Sequence, residues 1–130
     1  MDKMIKIKSL YQPVEKGDGF RILIDDLFPQ NVSKGTIQLD LWLKGVAPSK
    51  DLRKWFADNH NEWFEYKKKY LKELKNKKTL LKLINDNEKK NGTVTLLFAN
   101  KDEKHNNAEI LRNKLQGFKT IYTTISRTHG

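Results

Sequence analysis

Three side chains of the kinds that move protons, Asp25, Asp102 and His105, stand just after the two segments of this chain that read best as buried strands. FRILID (20–25) ends in Asp25-Asp26, and TVTLLFA (93–99) runs into NKDEKHNNA, which carries Asp102, His105 and Asn106. Carboxylates and an imidazole within reach of one another can act as general acid and general base. Ligands of open α/β sheets bind outside the carboxyl ends of the strands, so parallel pairing of these two strands would place the three residues on one rim. Plainer roles compete: Asp102 as a helix cap with His105 and Asn106 in the first turn, and His105 as a structural hydrogen-bond donor. The spacing names no reaction and no cofactor, and leaves open whether the chain is an enzyme.

A second group is suited to holding an anion. In DLWLKGVAPSKDLRKWF (40–56), Ser49 follows Pro48 and can cap a helix whose first-turn amides are otherwise free. Lys44 before that helix and Arg53 one turn into it supply charge, so a phosphate or carboxylate would be stable there. Alternatively, Lys44 is solvated and Arg53 pairs with a local carboxylate such as Asp51 or Asp25. The three Trp of the chain, 42, 55 and 63, stand beside apolar neighbours at strand or helix spacing and are expected in the core.

The elements that must position these groups follow from periodicity. IKIKSLY (5–11) alternates with period two, as a strand with one buried face does. FRILID and TVTLLFA are more continuously apolar, as strands inside a covered sheet are. Between them, Pro29 keeps 27–32 out of helix, Ser33 caps a short turn, and QLDLWLKG (38–45) is a short strand or an extended loop. Helices are expected from Ser49, over 61–76 and over about 78–89. A last helix, over HNNAEILRNKLQGF, would place Ala108, Leu111, Leu115 and Phe118 on one side, with Gly117 as C-cap. TIYTTI (120–125) has strand composition within a tail, 119–130, expected to be partly ordered. GDG at 17–19 is a turn, and nothing matches a phosphate-binding P-loop. Strands separated by helices predict a single α/β domain over 1–130, with a small, mostly parallel sheet of about 3–5 strands.

Composition narrows the function classes. The chain has 130 residues, no cysteine and 3 His, which removes disulfides and Cys-based zinc sites and makes a His-rich metal site unexpected. No apolar run approaches a membrane span and the N-terminus is no secretory signal, so a cytoplasmic protein is expected. The net charge of +10 is local. Residues 1–66 carry ten basic and ten acidic side chains, whereas 67–90 carry ten Lys against Glu73, Asp86 and Glu88. Lys67, Lys68, Lys69, Lys72 and Lys75 lie largely on one side of the helix 61–76. Such a face is either a solvated surface or a phosphate-tracking one.

DGFRILIDDLFP (18–29), VSK (32–34), DLWLKGVAPSKDLRKWF (40–56), NEWFEYKKKYLKEL (61–74) and TLLFANKDEKHNNAEILRNKL (95–115) together resemble the YeaO-like family, domain of unknown function 488, over nearly the whole chain. The resemblance implies a compact bacterial or archaeal α/β protein and no particular reaction. It adds Lys34 and Asn106 to the candidate ligand residues, beside Lys44, Ser49 and Arg53. The chain departs from the family at one place: Asp-Arg-Leu-Trp-Pro-Arg-Gly becomes Asp25, Asp26, Leu27, Phe28, Pro29, Gln30 and Asn31. Two cationic positions are lost, one with reversed sign.

Three functions are consistent with these features. The first is a cleft at the strand ends that holds a phosphate-bearing or carboxylate ligand. The second is a nucleic-acid-binding accessory protein using the Lys-rich surface over 67–82. The third is a protein-interaction domain without catalysis. The sequence leaves the oligomeric state open.

Overall fold

In MIKIKS the period of two sends Ile5 and Ile7 to one face and Lys6 and Lys8 to the other, and this alternation sets the first strand, β1 (Met4–Ser9). Among the described residues it is joined by β2 (Phe20–Leu23), β3 (Leu41–Trp42) and β4 (Thr93–Phe98) in a four-stranded sheet of order β1-β4-β2-β3. Every pairing is parallel. The computed structural model describes residues 3–99 and 105–117. The expected tail, TIYTTI and Asp102 lie outside the described residues.

Among the described residues five α-helices accompany the sheet: α1 (Lys34–Ile37), α2 (Lys50–Asp58), α3 (Trp63–Leu74), α4 (Lys78–Asn91) and α5 (107–117). Spacings of three and four on α2 to α5 turn Leu52, Tyr66, Tyr70, Leu74, Leu81, Ile84, Leu111 and Leu115 towards one face of the sheet. There they pack with Ile5, Ile22, Ile24, Val94, Leu96 and Phe98. Loops and α1 cover the opposite face, where Leu10, Leu23, Ile37 and Leu97 form a smaller core with Phe28, Val32, Leu39 and Trp42 beside it. All three Trp are partly buried against these cores.

A buried polar network braces the amino end of β2. Arg21 donates from Nη1 to Asp18 Oδ2 at 2.5 Å, from Nη2 to Ile37 O at 2.8 Å and from Nε to Gln38 O at 3.2 Å. Asp18 also takes Lys8 Nζ at 3.1 Å, and its backbone carbonyl accepts from Thr95 Oγ1 at 2.6 Å. The adjoining Gly19 has φ 63°, and a Cβ there would lie 2.3 Å from Thr93 O. Only glycine fits this close approach.

QLDLWLKG contributes only two ladder residues. After Leu43 N donates to Leu23 O at 2.9 Å, the chain curls into a 3-10 turn, Lys44–Val46, because β2 runs no further to pair with it. Among the described residues no helix is long and apolar enough to cross a membrane.

Candidate functional site

The carboxyl ends of β2 and β4 are adjacent, and Asp25 closes the ladder between them. Ile24 N donates to Leu97 O at 3.2 Å, and then Ala99 N donates to the Asp25 side chain, Oδ2, at 3.0 Å. The Asp25 backbone carbonyl accepts from Trp42 Nε1 at 2.5 Å. Burial pushes the Asp25 carboxyl above its ordinary value. The Ala99 amide opposes this, the Asp26 charge adds to it, and the Arg53 charge opposes it again.

Arg53 reaches this edge from the second turn of α2. Its Nη2 donates to Asp26 Oδ2 at 2.6 Å, and both side chains are 33% exposed. Its Nε is buried and has no hydrogen-bond partner among the described residues. Nε and Nη2 form one edge of the planar guanidinium, the edge that can grip a carboxylate or phosphate with two parallel bonds. Asp26 therefore holds half of that edge. Asp25, Asp26, Phe28, Pro29, Pro48, Arg53 and Asn107 line a cleft of about 230 Å³.

Behind the cleft lie two tyrosines of α3, Tyr66 and Tyr70. The Tyr66 hydroxyl donates to Asn107 Oδ1, and the Tyr66 ring stacks on Phe56 with centroids 4.2 Å apart. The Tyr70 hydroxyl donates to Val46 O at 2.5 Å. Burial pushes both phenols far above the ordinary value, so they remain hydroxyl donors at neutral pH. The four-residue spacing of Tyr66 and Tyr70 on the buried side of α3 was the available signal.

The expected site residues divide among several places. Ser49 caps α2, with Oγ accepting from Leu52 N at 3.1 Å. That helix end already carries a carboxylate of the chain itself. Glu73 Oε1 accepts from Ser49 N at 2.9 Å and Glu73 Oε2 from Ser49 Oγ at 2.5 Å. Lys44 Nζ lies 4.1 Å over the Trp42 ring. His105 packs its ring against Trp63 at 4.8 Å. Asn106, expected in the first helical turn, instead precedes the helix and caps it, with Oδ1 accepting from Glu109 N at 3.0 Å. The role expected of Asp102 thus falls to Asn106, four residues on. Lys34 opens α1, and its side chain lies outside the described residues. The carboxylate facing Arg53 is Asp26, not Asp51 or Asp25.

A family model described as the inactive DUF488-N3 subclade matches residues 4–125. The uncharacterised protein YeaO of Escherichia coli is 36% identical over 112 residues, covering 86% of this chain and 96% of that protein. The uncharacterised protein Rv3073c of Mycobacterium tuberculosis is 30% identical over 79 residues, covering 61% of this chain and 67% of that one. No solved structure matches the chain.

Proposed function

The chain belongs to the inactive DUF488-N3 subclade of the YeaO-like DUF488 family, and from that premise we propose that it is a binding domain without catalysis. Its site is the cleft at the carboxyl ends of β2 and β4, and its ligand is a small molecule bearing a phosphate or carboxylate. The observation that carries this reading is the Arg53 Nε, buried without a hydrogen-bond partner among the described residues, beside the Nη2 that Asp26 holds. An unsatisfied buried donor on a charged group is costly, and an arriving oxyanion would satisfy it while displacing Asp26 from the shared edge. Asp26 then acts as an internal competitor. Phe28, Pro29 and Pro48 offer apolar contact to the rest of the ligand, and Asn107 a polar one. The subclade's description as inactive, and the placement of His105 against Trp63, favour binding over acid–base chemistry.

A thermal-shift screen of sugar phosphates, nucleotides and simple carboxylates tests the proposal. At a concentration of about 100 times its dissociation constant, a ligand adds roughly 2.7 kcal/mol, a shift of several degrees. The expected result is a shift by one anion class in the wild type that vanishes in Arg53→Gln. Equal shifts in both proteins would place the binding elsewhere.

A further inference from the structure

The face of α3 turned away from the sheet carries an assembly that the cleft does not use. Tyr66, Tyr70 and Leu74 are buried, and opposite them Phe64, Lys68, Lys72 and Lys75 follow one another at spacings of four, four and three. Residues so spaced form one stripe along a helix. Phe64 is 84% exposed, the most exposed of the large apolar side chains described. Neighbouring lysines are engaged locally: Lys69 lies 4.9 Å over the Trp55 ring, Lys77 donates to Ala47 O at 3.1 Å, and Lys82 pairs with Asp86 at 3.1 Å. Lys68, Lys72 and Lys75 form no ion pair among the described residues. Of the acidic groups on α3, Glu73 turns its carboxylate to Ser49 and Glu65 follows Phe64 in sequence.

We propose that this stripe binds single-stranded nucleic acid, with Lys68, Lys72 and Lys75 on successive phosphates and Phe64 stacked on an unpaired base. Sequence-independent binding of single strands combines these two parts, a cationic track and an exposed aromatic ring. From Phe64 to Lys75 the helix rises about 16 Å, enough for a few nucleotides. Other occupants fit less well. A membrane-lying helix needs a broad apolar face, and this one offers a single ring. A second copy of the chain would bring one uncompensated lysine row against another, which like-charge repulsion opposes.

The test is fluorescence anisotropy of a labelled oligothymidylate with the full chain at several salt concentrations. Three phosphate contacts predict a slope of log K against log salt of about −2. Phe64→Ala should weaken binding about tenfold and leave the slope unchanged, since it removes stacking and no charge. Lys68→Gln and Lys75→Gln should each lower the slope by about 0.7. Inorganic polyphosphate should bind wild type and Phe64→Ala alike. No binding at low salt, indifference to Phe64→Ala, or dissolution by Phe64→Ala of a dimer seen in sedimentation would each overturn the proposal.

Discussion

Arg53 Nη2 stands 2.6 Å from Asp26 Oδ2, and this contact ties the first long helix to the loop that leaves β2. The arginine comes from a stretch that resembles the family; the aspartate stands where the family typically has a positive charge. Both side chains are one-third exposed, which limits the pair's stabilising effect to at most about 1 kcal/mol. Asp26→Asn should therefore lower the melting temperature by no more than a few degrees, read by calorimetry. A fall of more than about ten degrees would mean that the pair is chiefly a structural clamp.

Asp25 predicts a pH dependence. Burial raises its carboxyl above 3.8, so the folded chain keeps that proton at pH values where the unfolded chain has lost it. Stability from this group falls as pH rises from 3.8 through the raised folded value, and stays lower above it. Asp25→Asn removes the ionisation while its amide oxygen can still accept from Ala99. Denaturant melts should show the variant gaining on the wild type at neutral pH and showing no such gain below that window. A variant weaker at neutral pH would contradict the assignment.

Asp18 has the opposite sign. Burial alone would raise its carboxyl, but the Glu15 amide, the hydrogen bond and charge of Lys8 and the hydrogen bond from Arg21 outweigh it and hold the group below 3.8. Its contribution is present above 3.8 and is lost as pH falls through the lowered folded value. Its side chain and that of Arg21 are 5% and 4% exposed, so Asp18→Ala strands a buried guanidinium. The expected cost is about 3–5 kcal/mol in urea denaturation. A loss under about 1 kcal/mol would mean that water replaces the carboxylate.

Ser49→Ala removes both the cap of α2 and the hydroxyl bond to Glu73. A loss of about 1–2 kcal/mol is expected. Glu73→Gln should cost less than Ser49→Ala, because the amide oxygen can still accept from Ser49 N. The reverse order, measured by urea denaturation, would show that the Glu73 charge dominates at that helix end.

Much of the scaffold was legible because it is periodic. TVTLLF and the Ser49 cap each carry their signal within a few residues, and the parallel sheet follows from strands separated by helices. Parts of the candidate site were not legible, because its contacts join residues far apart in sequence. Nothing near Ser49 announces Glu73, 24 residues on, and nothing near Tyr66 announces Asn107, 41 residues on. Capping preference ranks Asp and Asn alike, so it supported Asp102 as the cap with nothing to set Asn106 above it. The start of the helix at 107, set by burial of Ala108 and Leu111, favours Asn106. Burial of Asp25 depends on the cleft around it, which periodicity does not describe.

The central claim is that Arg53 binds an oxyanion against competition from Asp26. Calorimetric titration of the best compound from the thermal screen into wild type, Asp26→Asn and Arg53→Gln tests it most directly. Asp26→Asn should bind tighter than wild type, by up to about fivefold given the roughly 1 kcal/mol that a part-exposed pair contributes, and Arg53→Gln should show no binding. Weaker binding by Asp26→Asn, or undiminished binding by Arg53→Gln, would contradict the account.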